Sequence, residues 1–133
     1  ATGHRRTLAF ILGMVAGGLG GIIGVPFPGA EVLIAASVLL LGVAIASALT
    51  DDEGAAWVLP ILAVAGLAHG YAHGAEAPSS AHPALYIGGF LLATGCIHVA
   101  GVGVGTVIRD RRLARVTIGA ATATAGALLL LTA

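Results

Sequence analysis

Residues 55–76 read AAWVLPILAVAGLAHGYAHGAE, an unbroken apolar run that ends in two histidines and a glutamate. A helix rises about 1.5 Å per residue, so about 20 mostly apolar residues cross a hydrocarbon core roughly 30 Å thick. This stretch is long enough, and it sets the reading of everything around it. Of the 133 residues, 58% are hydrophobic and only 9% charged, and the mean hydropathy of +1.03 is far above what a water-facing surface tolerates. The composition is that of a membrane protein.

Working outward, the apolar stretches predict five spans at about 7–25, 30–50, 55–76, 83–108 and 113–132, together one transmembrane helical domain over residues 1–133. The breaks carry turn chemistry: VPFPG, TDDEG, APSSAHP and RDRR. Linkers this short make consecutive helices antiparallel neighbours. Strands of a membrane barrel would alternate apolar and polar residues, which these continuous runs do not. The fold class expected is all-α, a compact bundle of five transmembrane helices.

Arginine placement predicts the orientation. Arg5 and Arg6 precede the first span, and Arg109, Arg111, Arg112 and Arg115 surround the last linker. With alternating helices both clusters fall on one side, which the positive-inside rule makes cytoplasmic. VPFPG, GAEAPSSAHP and the C-terminus then face outward. The acidic TDDEG is cytoplasmic too, and acidic loops weigh little in this rule.

Several function classes drop out. Six cations balance six acids, and no basic face with interleaved aromatics could hold nucleic acid. The single cysteine, Cys96, lies in an apolar run and is read as a small packed residue. No signal-peptide cleavage pattern precedes the first span. The 21 glycines, in patterns such as GGLGGIIG and GVGVG, mark faces where helix backbones approach closely. GVGVGT lacks the lysine of a phosphate loop.

Ionisable side chains inside spans cost several kcal/mol unless paired or hydrated, so each is a functional hypothesis. His69 and His73 stand at i and i+4 and Glu76 follows three residues later, so the spacing places all three on one helix face, able to meet one divalent ion. Counted from the outward end, His69 lies on the order of 10 Å deep and His98 near mid-membrane. Glu31 opens the second span near where Glu76 ends the third. Polar groups thus step inward from His82, Glu76, Glu31 and His73 through His69 to His98, a path for an ion. Plainer roles stand beside these: interhelical hydrogen bonds for the histidines, a dipole-stabilised carboxylate at a helix start for Glu31, and surface positions for His82 and His4. Imidazole with carboxylate suits nickel, cobalt or zinc, and binding to neutral imidazole should weaken as pH falls toward about 6.5. Metalloprotease chemistry is set aside because Gly70, not glutamate, follows His69.

HGYAHGAE resembles the hallmark of the HupE/UreJ family, membrane proteins encoded beside hydrogenase and urease genes and regarded as nickel or cobalt permeases. PFPGAEVLIAASVLLLG is similar to the family's segment with a glutamate before a small-residue helix, and CIHVAGVGVG to its later histidine with a glycine-rich half-helix. The resemblance implies metal-handling roles for His69, His73, Glu76 and His98, and for Glu31. Family members begin with a further span bearing a His-Pro and Asp-His signature, to which nothing here corresponds, so a full member would have six helices.

The leading expectation is a secondary permease, not an enzyme, that passes Ni²⁺ or Co²⁺ inward and binds no permanent cofactor. Its partners are membrane lipid and the ion, with no nucleic acid; a homo-oligomer or a larger membrane complex is compatible with the sequence. One alternative is a non-transporting structural subunit of such a complex. Another is a b-type haem protein with His69 and His98 as axial ligands.

Overall fold

The computed structural model describes residues 2–47, 58–80 and 82–133. These form five helices and, among the described residues, no strand: α1 (Thr2–Ile22), α2 (Ala30–Ser47), α3 (Val58–Ala75), α4 (Pro83–Ile108) and α5 (Arg112–Leu130). The acidic linker TDDEG, the end of the expected second span and the start of the third lie outside the described residues. Helix α1 begins five residues before the apolar stretch, because helical hydrogen bonding continues through His4, Arg5 and Arg6, where hydropathy no longer reports it. Among the described residues α2, α3, α4 and α5 are long and apolar enough to cross a membrane. Helix α1, with its arginines and many glycines, does not join that group.

Local chemistry sets the helix ends. After α1, Gly24 takes φ +73°, the Val25 N–H bonds the Gly20 carbonyl at 3.0 Å and the Gly24 N–H bonds Gly21 at 3.1 Å. This is the glycine-terminated double cap that closes many helices, and Pro26 then prevents continuation. Gly29, at φ +83°, accepts the first bond of α2 from the Leu33 N–H. Pro83 opens α4 at a position that needs no N–H donor, with exposed His82 as its cap residue.

Packing departs from the expectation that consecutive helices are neighbours. The two close pairs are α1 with α3 and α2 with α5; α2 joins the pairs by touching α3. Both pairs are built on glycine. A Cβ at Gly13, Gly17 or Gly21 of α1 would collide with the backbone of α3 at Ala63, Leu67 and Tyr71, and one at Gly66, Gly70 or Gly74 of α3 would collide with α1 at Phe10, Met14 and Gly18. The contacts climb both helices together, so α1 and α3 run parallel. Gly42 of α2 meets Gly119 and Ala123 of α5, and Gly126 meets Leu39, so that pair is antiparallel. Lipid tails provide no hydrophobic drive between helices, and close backbone approach supplies the van der Waals contact that does. Connection length therefore fixed direction but not partnership: the glycine faces chose the partners.

Helix α4 differs. It has no buried residue, and the side chains of Tyr86, Phe90 and His98 reach from it to α1 and α3. Direction still alternates. Arg6 of α1, Ile45 of α2, Arg109 of the last linker and Arg115 of α5 line one cleft, while Glu31 of α2, Glu76 after α3 and Ala133 line another at the opposite end. The two arginine clusters thus share one end of the bundle.

Replacing Gly70 by alanine places a methyl on the Met14 carbonyl and should destabilise the bundle by about 1–3 kcal/mol. Gly20→Ala, with nothing within 4 Å, should be neutral or slightly stabilising. Reversible unfolding in detergent, followed by helicity, checks both; equal effects would contradict the glycine seam.

Candidate functional site

The glycine seam aims the histidines. His69 and His73 each precede a seam glycine, Gly70 and Gly74, and one residue is about 100° around a helix. With the glycines against α1, both imidazoles are turned to the flank of the α1–α3 pair, along which α4 lies. Their ring centroids are 5.5 Å apart, one turn above the other.

Aromatic rings extend this pair at both ends. His73 meets Phe90 of α4 at 5.0 Å. His69 meets Phe10 of α1 at 6.4 Å, and Phe10 meets His98 of α4 at 5.1 Å. The result is one row, Phe90–His73–His69–Phe10–His98, running down the seam of three helices. His98 Nδ1 lies 3.0 Å from the Thr94 carbonyl one turn earlier, which orients the ring and leaves Nε2 as its other nitrogen. The Tyr86 hydroxyl donates to the His73 carbonyl at 2.7 Å and ties α4 to the histidine turn of α3.

The carboxylates stand apart from this row. Helix α3 ends at Ala75, and Glu76 lies in the turn beyond it. With Glu31, in the first turn of α2, it lines a cleft of about 390 Å³ beside Tyr71 and Phe27, whose rings meet edge-on at 5.3 Å. Both glutamates are exposed. The single face expected for His69, His73 and Glu76 is thus divided: the histidines look toward α1 and α4, and Glu76 joins Glu31 on the α2 side. Among the described residues no three His, Cys, Asp or Glu side chains converge on one point. The arrangement offers two carboxylates at one mouth and a separate line of imidazole nitrogens, not a closed cage.

Sequence reasoning missed Phe10, Tyr86 and Phe90. A signal was present: the chain has only three phenylalanines and two tyrosines, and all five lie at the histidine row or the glutamate cleft. In a chain built largely of glycine, alanine and aliphatics, large rings are placed where small residues leave space. His82 and His4 are exposed at or near helix starts, as surface residues would be.

Comparison with known proteins follows the same stretches. The sequence profile described as HupE / UreJ protein matches residues 2–129. Protein HupE of Rhizobium leguminosarum bv. viciae is 36% identical over 125 residues, covering 92% of this chain and 64% of that protein. The chain therefore spans somewhat less than two thirds of the relative's length. No solved structure matches.

Tyr86→Phe should weaken the attachment of α4 by about 0.5–1 kcal/mol, the usual worth of one interhelical hydrogen bond in lipid. Faster amide exchange in α4, with α1–α3 unchanged, is the expected reading.

Proposed function

The chain belongs to the HupE/UreJ family, and from that premise we propose that it is part of a secondary permease that carries Ni²⁺ or Co²⁺ inward across the bacterial inner membrane. The observation that carries this reading is the histidine row: three imidazoles spaced along one interhelical seam, in a medium where a polar side chain without a task is costly. The ion is the cargo. Borderline divalent metals favour imidazole nitrogen, and the absence of thiolate clustering turns the site away from copper(I).

The path begins at the cleft of Glu31 and Glu76, where two carboxylates raise the local concentration of divalent cations. His73 and His69 then take the ion one after the other, with water completing its shell, and His98 receives it deeper in. A row suits passage better than a cage, because conduction requires each site to release what it binds. Phe10 stands between His69 and His98 and closes the row to free diffusion until its ring moves. The arginine end of the bundle is cytoplasmic, as the excess of positive charge there requires. No step of this scheme makes or breaks a covalent bond.

A second reading has one observation in its favour. Helix α4 buries nothing, so a further membrane subunit or helix could cover it and the chain could serve as a structural part of a larger complex. Stoichiometric co-purifying partners without metal uptake would support that reading over the permease.

His69→Ala and His73→Ala should each abolish nickel-dependent uptake by cells or vesicles carrying the full-length gene product, with the protein still folded in the membrane. Wild-type uptake by both variants overturns the assignment. Phe10→Ala removes no ligand and should raise uptake or make it leaky, whereas Leu8→Ala, at an exposed position one helix face away, should leave it unchanged.

A further inference from the structure

The arginine end of the bundle holds an open cleft of about 710 Å³ that the ion path does not use. One wall is the last two turns of α4, with Gly101 and Gly105. The facing wall is Ile45 of α2 and Ile118 of α5, and Arg6, Arg109 and Arg115 also line the space. Gly101 and Gly105 have nothing within 4 Å, whereas Gly42 and Gly119 of the neighbouring pair are in backbone contact. The small residues of α4 therefore leave room here instead of closing a seam.

Two properties of this cleft point to one class of ligand. Its walls are mostly apolar, and an apolar gap of this size between membrane helices forfeits packing contacts unless a hydrocarbon fills it. Three arginines line the same space, and guanidinium forks match phosphate oxygens in pairs. The Arg115 guanidinium donates to the Arg109 carbonyl at 3.4 Å, which holds it across the turn between α4 and α5. An inorganic phosphate would meet the arginines and leave the apolar wall empty; a zwitterionic lipid would fill the wall but bring a positive charge of its own among the arginines. We infer that the cleft binds an anionic phospholipid, its acyl chain along Gly101–Gly105 and its phosphate among Arg6, Arg109 and Arg115. Basic pockets between helices at the cytoplasmic side are a recurrent site for such headgroups.

The test uses the full chain, purified in mild detergent and examined by native mass spectrometry with phosphatidylglycerol or with phosphatidylcholine of the same acyl chains. Wild type should retain phosphatidylglycerol preferentially. Arg109→Gln with Arg115→Gln should lower that retention by about fivefold per arginine removed. Arg111→Gln with Arg112→Gln makes the same charge change at residues that do not line the cleft, and should behave as wild type. Gly105→Leu keeps every arginine, fills open space and should also lose the lipid, so it decides the matter if the arginine variant fails to fold. Equal losses in the two arginine pairs would reduce the effect to general surface charge and overturn the site. Wild-type retention by Gly105→Leu would overturn it too, as would displacement of the lipid by sn-glycerol 1-phosphate at the same concentration, since the ligand would then be a soluble phosphate.

Discussion

Backbone contact between α1 and α3 at alternating glycines is the constraint on which the rest of the molecule depends. Gly13, Gly17 and Gly21 interleave with Gly66, Gly70 and Gly74, each against the other helix's backbone, and no position in that ladder has room for a methyl group. In water such a pair would be held by burying apolar surface; in hydrocarbon both states are equally greasy, and only closeness distinguishes them. Because a glycine face is narrow, it sets rotation as well as proximity. Once Gly70 and Gly74 are against α1, the residues one step before them have a single direction in which to point.

That direction brings chemistry to the loosest interface of the bundle. The α1–α3 and α2–α5 seams are glycine on backbone, too tight for an ion or water. Helix α4 instead approaches through Tyr86, Phe90 and His98, long side chains that hold it at a distance. Imidazoles, aromatic rings and one hydrogen bond fill the resulting gap. The bundle thus divides into close pairs that fix side-chain positions and a more loosely held helix beside which a row of polar groups is accommodated. At the opposite end of α4 the same looseness leaves the arginine-lined cleft.

How much could be foreseen follows from the range of each interaction. The bounds of α4 were plain because Pro83 begins it and charged Arg109 and Asp110 follow it, both local signals. The end of α1 was three residues early because the cap depends on a glycine in a left-handed conformation, which competes with the apolar residues Ile23 and Val25 around it. His69 and His73 were paired correctly, since an i, i+4 relation belongs to the helix itself. Glu76 was not, because α3 ends before it and its surroundings are made by α2. Phe10 lies about sixty residues from His69 in sequence, and no spacing rule connects them.

By itself the sequence determined that five helices form, where most of them stop and which side chains carry ionisable groups among them; of its two glycine patterns, GGLGGIIG lies on a close seam and GVGVG does not. These are properties of composition and of contacts within a turn or two. Only the tertiary structure decided that α1 pairs with α3 and α2 with α5, that the histidines and the glutamates open on different sides of α3, and that a phenylalanine stands between His69 and His98. The reason is physical: a glycine run permits close approach, and whether and by which helix it is approached rests on the complementarity of two surfaces distant in the chain.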